Sequence, residues 1–372
     1  MIIGIDCNAL TRGGATGVER YVRTLVMEMM KVPLAAGDRV LLYASEVPST
    51  IPHPLPPGFA WRVLPFALPK GWTHIRLSWE LLRNPPDVLF VPGHEVPRYV
   101  GKKTKVVTTV HDVAFRRVPT AYPPSARRRQ EWAVRRAAKV ARRIIAISET
   151  TKHDLVELYG VPADRIAVTP LAVDTAPFAM TEGAMRDVLQ KYRLAPQRYF
   201  FYVGRLEEKK NIVSLVRAFA ELKRQLGIGH PVELILAGTF GFGKERIMRA
   251  VGAANDVRTL GYVPDADAAA LTRGALALCL PSLYEGFGLP ILEGFAAHVP
   301  VIASDIPSSR EVAEDASLFV EPTDVPGWVR AMQRCLFEAD LRASLAAKGD
   351  ERLRAFSWGD TAAKTWQALR SV

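Results

Sequence analysis

Short, nearly uninterrupted apolar runs alternate with amphipathic stretches of helical period along this whole chain. That alternation restricts the fold more than any single motif does. Continuous apolar runs suit strands buried on both faces, and connections long enough to hold a helix join parallel neighbours. The pattern predicts an α/β protein of parallel sheets with helices on both faces. In the first half the strand candidates are Ile2–Asp6, Val40–Tyr43, Trp61–Leu64, Val88–Val91, Lys105–Val110, Arg143–Ile147 and Ile166–Val168. In the second they are Tyr199–Val203, Glu233–Ala237, Val257–Leu260, Ala275–Leu280, Val301–Ala303 and Leu318–Val320. Each series suffices for its own doubly wound sheet, and 372 residues exceed one ordinary core. Residues 175–196 hold two prolines and no strand pattern. The expected division is therefore a first domain over 1–175, a linker over 176–196, a second domain over 197–355 and a terminal helix over 356–372.

Composition narrows the function classes. Hydrophobic content of 49% with 23% charged residues suits a globular protein, and no run of about 18 apolar residues is present to span a membrane. Cys7, Cys279 and Cys335 are widely spaced in apolar surroundings, which points to buried thiols in a reducing cytoplasm. The first strand begins at once, without a basic leader, so the expected location is cytoplasmic, with peripheral association at the inner face of an anionic membrane as a further expectation. Residues 1–180 carry 25 Lys and Arg against 15 Asp and Glu, and the remainder 24 against 23. Nearly all of the net charge of +11 thus falls in the first half, which is expected to meet something acidic.

The segment Glu285-Gly-Phe-Gly-Leu-Pro-Ile-Leu-Glu293 carries the strongest chemical signal. Gly286 and Gly288 let a backbone approach a ligand, and Pro290 suits the first helical position. The helix start, with its dipole, is ready for an anion. Ionised Glu285 and Glu293 on either side can each accept two hydrogen bonds from a diol. A nucleotide sugar has a phosphate centre between two such polyols.

Other motifs stand at strand ends. Gly204-Arg205-Leu-Glu-Glu-Lys-Lys210-Asn211 follows a strand of the second half, where ligands of open α/β sheets bind. Arg205 can fork onto a phosphate and Lys210 adds a point charge, so together they can neutralise a diphosphate leaving group. A solvated loop with Glu207 and Glu208 as partners is the competing interpretation. Near the N-terminus, Gly13, Gly14 and Gly17 form a strand–loop–helix turn that matches neither a dinucleotide nor a P-loop fingerprint. His111-Asp112 ends another strand and suits hydroxyl binding or proton transfer, or simply a turn.

Residues 127–143 hold eight basic residues and one acid. At helical spacing Arg128, Arg135, Lys139 and Arg142 share a face, with Arg136 and Arg143 beside them and Trp132 among them. Such a face suits anionic lipid or a phosphorylated acceptor, or is merely solvated. Asp265-Ala-Asp267 has a metal-binding form, but its place after Pro264 and before a helical pattern makes it an N-cap and first-turn pair. No metal site is expected, and no His/Cys cluster has ligand spacing.

Taken together, these residues resemble retaining glycosyltransferases of family 4. The resemblance rests on Glu285 and Glu293 as a Glu-x7-Glu element within Pro281-Ser-Leu-Tyr-Glu-Gly-Phe-Gly-Leu-Pro290, and on Gly204-Arg205 with Lys210-Asn211. Thr16-Gly17-Val-Glu-Arg-Tyr21, Thr109-Val-His111-Asp112, Ala146-Ile-Ser148 through Asp154, and Gly261-Tyr-Val-Pro-Asp265 support it. It implies the GT-B fold, two Rossmann-like domains facing across a cleft, with the terminal helix crossing back to the first. It also implies donor binding by Gly17, Arg205, Lys210, Glu285, Gly286, Phe287, Gly288, Leu289 and Glu293. Glu293 would take the ribose, Glu285 the transferred sugar, and Arg205 and Lys210 the diphosphate. His111, Glu285, Arg205 and Lys210 would form the catalytic set, and Asp112, Arg128 and Arg135 are candidates for the acceptor.

The implied reaction is metal-independent, retaining transfer of a hexose from a nucleotide-diphosphate sugar, GDP- or UDP-linked, with no further cofactor. The acceptor would be a glycan or a polyprenyl-diphosphate-linked saccharide, in bacterial surface polysaccharide synthesis. Trp72-Thr-His-Ile-Arg76-Leu-Ser-Trp79-Glu80 followed by Asp87-Val-Leu-Phe-Val-Pro92 is similar to mannosyltransferase-like members, so mannose is favoured. A UDP-glucose or UDP-N-acetylglucosamine type of donor, a nucleotide-sugar epimerase and a phosphorylase are the rivals that keep the fold. A non-catalytic protein bound to membrane or nucleic acid is the rival of another class. It has no need of the intact set Arg205, Lys210, Glu285 and Glu293, and no nucleic acid is expected as partner.

Overall fold

The computed structural model describes residues 1–11, 17–68, 71–227 and 229–372. The glycine pair Gly13-Gly14 and Thr16 lie outside the described residues. The chain forms two compact units, Met1–Val113 with Arg128–Leu171 and Ser357–Val372, and Ala114–Arg127 with Ala172–Phe356.

The first unit is built on a seven-stranded sheet, ordered β3-β2-β1-β4-β5-β6-β7. Its strands are β1 (Ile2–Asp6), β2 (Arg39–Ala44), β3 (Phe59–Val63), β4 (Val88–Val91), β5 (Lys105–Val110), β6 (Arg143–Ala146) and β7 (Ile166–Val168). Every pairing is parallel. With helices on both faces the inner strands have little solvent side, and all four residues of β4 are buried, whereas edge strand β3 buries only Phe59. Strand β3 starts earlier than the apolar run at Trp61, because the ladder begins where the Val40 amide donates to the Gly58 carbonyl at 2.8 Å. Helix Trp358–Arg370 belongs to this unit, burying Ala362, Trp366 and Leu369. Its Thr361 hydroxyl donates to the Pro170 carbonyl at 2.6 Å, and the Trp366 indole N–H to that of Met29 at 3.3 Å.

The second unit is built on a six-stranded sheet, ordered β10-β9-β8-β11-β12-β13 and again parallel. Its strands are β8 (Tyr199–Val203), β9 (Glu233–Ala237), β10 (Val257–Gly261), β11 (Ala277–Leu280), β12 (Val301–Ser304) and β13 (Leu318–Val320). Phe200, Tyr202, Phe219, Trp328 and Met332 anchor one large core cluster. In both sheets the order reverses once, between β1 and β4 in the first and between β8 and β11 in the second. Those reversals open crevices beyond the carboxyl ends of the strands, where open α/β sheets take ligands.

The stretch expected as a linker, 176–196, is folded into the second unit. It contains helix Glu182–Lys191, which buries Met185 and Leu189. Arg273 donates to the carbonyls of Phe178 and Met180 at 2.9 and 2.6 Å, holding the approach to that helix. Two apolar residues four apart between prolines are enough for one buried turn face, a signal too short to stand out in the sequence.

Candidate functional site

In the second unit the loops after β8 and β11 flank the reversal. Lys210 leaves a single 3-10 turn, Glu208–Lys210, and Asn211 then adopts the left-handed conformation (φ 53°) before helix Ile212–Leu226. Asn211 is held there by its side chain, which donates to the Pro322 carbonyl at 2.7 Å and accepts from Ser214 at 2.7 Å. The Leu283 amide donates to the Lys209 carbonyl at 2.8 Å and ties the two loops together.

Within that frame the Lys210 ammonium donates to Glu285 Oε1, and the Ser282 hydroxyl donates to the same oxygen at 2.6 Å. Both charged side chains are only 18% exposed, so the pair is largely removed from water. Burial pushes the Glu285 carboxyl up, but the Lys210 and Lys209 charges and the bonds from Lys210 and Ser282 outweigh it. The net effect holds Glu285 below the usual carboxylate range, and it is ionised at neutral pH. Beside the pair a small cavity is lined by Tyr202, Lys210, Ser282, Glu285, Gly288 and Ser309.

Gly288 stands at φ 107° and caps helix Leu289–Ala296. Pro290 is therefore the second helical residue rather than the first. A left-handed residue ahead of Leu289 lets the helix open one position sooner. Gly286 is buried in the loop ahead of it, and Glu293 is half-buried further along the helix. The Phe287 ring is buried and packs edge-on against Phe356, centroids 5.8 Å apart. Its expected place in a donor site is thus limited to its backbone.

Arg205 sits apart from the buried pair. Its side chain is 66% exposed, and its guanidinium lies 3.7 Å from Glu207, too long for a strong hydrogen bond. Glu208 is engaged by Arg246 at 3.0 Å. The loop is shaped from beneath: the buried Tyr202 hydroxyl donates to the Arg205 carbonyl at 2.9 Å. A Cβ on Gly238, in the turn after β9, would stand 1.9 Å from the Gly204 carbonyl oxygen, so the two turns meet backbone to backbone.

In the first unit His111 follows β5 and reaches back to the end of β4, where its Nε2 lies 2.9 Å from the Pro92 carbonyl. A carbonyl can only accept, so Nε2 carries the proton and Nδ1 is the nitrogen able to accept. Tyr21 packs edge-on against the imidazole at 4.8 Å, its hydroxyl bonded to Thr109 Oγ1 at 3.1 Å. Thr151 donates to the His111 carbonyl at 3.3 Å. Burial lowers the His111 pKa to about 4, despite its bond to Pro92, so the ring is neutral at pH 7.

Sequence reasoning missed His94, which follows β4 directly at the reversal. Burial lowers its pKa as well, Asp112 and Glu95 opposing, and its Nδ1 is buried with no hydrogen-bond partner among the described residues. The signal was available in Pro92-Gly93-His94, immediately after the apolar run Val88–Val91. Asp112 is half-buried beside His111, and Gly17 is the exposed first residue of helix Gly17–Met30.

The other expectations divide. Arg128 is exposed on helix Pro124–Val140, whereas Arg135 is bonded to Glu131 at 2.6 Å, and Glu131 also accepts from Tyr159 at 3.0 Å. Arg136 donates to the carbonyls of Val96, Pro97 and Arg98 and serves the fold. Asp267 is bonded to Lys191 and Tyr192 in the first turn of helix Asp265–Arg273, but Pro264, not Asp265, occupies the cap position. His153, Asp154 and Glu157 bring possible ligand atoms within 4.8 Å of one another, a grouping not foreseen. His153 already lies 3.5 Å from Glu157, on the outer face of its helix.

Comparison with known proteins agrees with this layout. Residues 15–177 match Glycosyltransferase Family 4, and residues 186–352 match the glycosyl transferases group 1. The O-antigen chain mannosyltransferase B of Escherichia coli is 32% identical over 298 residues, 79% of this chain and 77% of that protein. The serotype-specific mannosyltransferase WbdA of Escherichia coli is 29% identical over 225 residues, 59% of this chain but only 27% of that longer protein. Anabaena HepE, solved in complex with UDP and glucose, superposes over 100% of both chains with a TM-score of 0.76 at 17% identity. The chain belongs to glycosyltransferase family 4, as a mannosyltransferase-like member with two parallel-sheet Rossmann-like domains of the GT-B fold.

Proposed function

We propose that this glycosyltransferase moves a hexose, mannose favoured, from a nucleotide-diphosphate sugar to a glycan or lipid-linked saccharide, with retention of configuration and without a metal ion. The observation that carries this is the Lys210–Glu285 pair, placed where the second sheet reverses. It offers a cation for a phosphate and an ionised carboxylate for sugar hydroxyls in one low-dielectric spot.

In this assignment Lys210 and the largely exposed Arg205 take the diphosphate, with backbone amides near Gly288 and Leu289. Glu293 takes the ribose diol and Glu285 the transferred sugar. Loss of the diphosphate breaks its bond to the anomeric carbon, and the acceptor oxygen bonds to the same face. The acceptor proton passes to the departing phosphate oxygen. His111, neutral and with Nδ1 able to accept, orients hydroxyls on the first unit.

The names of the two Escherichia coli relatives favour mannose, and the UDP and glucose bound to HepE favour a UDP-linked donor as second reading. Thermal unfolding with GDP, UDP and ADP, and with their sugars, separates the two, since a ligand that binds only the native state raises Tm. The first reading expects the largest rise with GDP and with GDP-mannose. Transfer in the presence of EDTA, with the anomeric configuration of the product read by NMR, tests the rest. An inverted product, or activity abolished by EDTA and restored by a divalent cation, would overturn it. Arg205→Ala is expected to lower kcat; a normal kcat with only a raised KM would remove Arg205 from leaving-group stabilisation.

A further inference from the structure

Segment 72–83 of the first unit is apolar on two sides. Trp72, Leu77 and Leu81 are buried in a core cluster with Tyr43, Leu64 and Leu89. Ile75, Trp79 and Leu82, one helical stripe at spacings of four and three, point the other way and are 56%, 47% and 57% exposed. A helix apolar on two faces has a second apolar neighbour, and among the described residues of this unit the outer stripe has none that buries it. The stripe continues into adjoining elements. Trp132, 48% exposed, packs edge-on against His74 at 5.5 Å, and Tyr99, 57% exposed, is tied to Ser78 by its amide at 3.2 Å.

The exposed charges around the stripe are mostly positive. The guanidinium of Arg83 lies over the Trp79 ring at 4.0 Å, that of Arg76 at 5.0 Å, and that of Arg98 near the Tyr99 ring at 5.9 Å. The segment's acid, Glu80, is turned inward and paired with Arg62 at 2.8 Å and with Arg76 at 3.6 Å, while Glu131 is occupied by Arg135. Glu95 in the neighbouring loop is outnumbered by Arg98, Lys102 and Lys103. Indole rings beside guanidinium groups, with aliphatic side chains between them, match the boundary between lipid headgroups and acyl chains. No described helix is long and apolar enough to cross a membrane, so contact of this kind is made from the surface.

We propose that the first unit docks on an anionic lipid bilayer through Ile75, Trp79, Leu82, Tyr99 and Trp132, with the exposed Arg83 and Arg98 on the headgroup phosphates. The full chain is mixed with vesicles of phosphatidylcholine alone or with added phosphatidylglycerol, and the bound fraction is measured by cosedimentation. Binding to the phosphatidylglycerol vesicles alone, weakened by salt, is the expected result. Trp79→Ser and Arg83→Glu, both at exposed positions, should leave Tm unchanged and each weaken partitioning roughly tenfold. Absence of binding at low salt, equal binding to neutral vesicles, or undiminished binding by both variants would overturn the proposal. So would a short DNA duplex that binds as tightly and loses affinity with the same variants. The measurement uses no sugar donor, so its outcome is independent of the proposed reaction.

Discussion

Lys210 and Glu285, 75 residues apart, are joined ammonium to carboxylate where the second sheet changes direction, with Ser282 bonded to the same carboxylate oxygen. Neither charge is well hydrated, so each depends on the other. That dependence gives the pair a structural consequence as well as a chemical one.

Removing one partner strands the other. Lys210→Ala should destabilise the fold by about 1–3 kcal/mol in urea unfolding, because a half-buried carboxylate loses its main counter-charge. Lys210→Ala with Glu285→Gln should recover part of that loss without recovering transfer activity. Additive losses in the double variant would show that the pair is not coupled.

The same pair sets an acid limit. The carboxyl of Glu285 is held below its ordinary range in the folded state, so its contribution is complete above the ordinary carboxylate value and lost as pH falls through the depressed one. Unfolding free energies of the parent and Glu285→Gln should differ by a constant amount near neutrality and converge only below roughly pH 4. Convergence already at pH 6 would contradict the assignment.

His111 acts in a different window. Its folded pKa of about 4 lies below that of the unfolded chain, so the unfolded state takes up the proton first. Stability is therefore full above about pH 6.5, falls by on the order of 3 kcal/mol on acidification, and levels off near pH 4. His111→Gln should flatten this slope; an unchanged slope would place the titration elsewhere.

Gly17 separates ligand approach from folding. Nothing among the described residues lies within 4 Å of a Cβ placed there, at the first residue of its helix. Gly17→Ala should keep Tm and lose affinity for the donor if that backbone approaches a diphosphate. Unchanged kinetics would remove Gly17 from the donor site.

Gly238 is the opposite case. An added Cβ meets the Gly204 carbonyl oxygen at φ 138°, so Gly238→Ala should cost ~3 kcal/mol or more and displace the Arg205 loop. Gly252→Ala, in a helix with open space around it, should be neutral or stabilising by about 0.5–1 kcal/mol. Similar effects of the two in thermal unfolding would refute the close approach.

Much of this molecule is legible in its sequence alone. The strands are visible because parallel strands covered by helices on both faces must be apolar throughout, as Val88–Val91 and Ala277–Leu280 are. The spacing of Glu285, the glycines and Glu293 is legible because a loop entering a helix is local chemistry. Helix Glu182–Lys191 was not, since its burial depends on what lies opposite. Residues 127–143 show a basic face in sequence, but the partner each side chain finds, on its own helix or far along the chain, divides it. Arg135 is matched by Glu131 on its own helix, Arg136 is drawn to the carbonyls of 96–98, and Trp132 is left beside His74.

The sequence by itself determined the period of each segment, and hence two parallel sheets, together with the residue types at the strand ends. The tertiary structure alone decided which of those residues meet. Strand order brings the end of β8 to that of β11, and so Lys210 to Glu285; it brings β5 beside β4, and so His111 to Pro92. The ionisation of Glu285 and the tautomer and neutrality of His111 follow from those meetings, because each depends on burial and on a partner that no local pattern encodes.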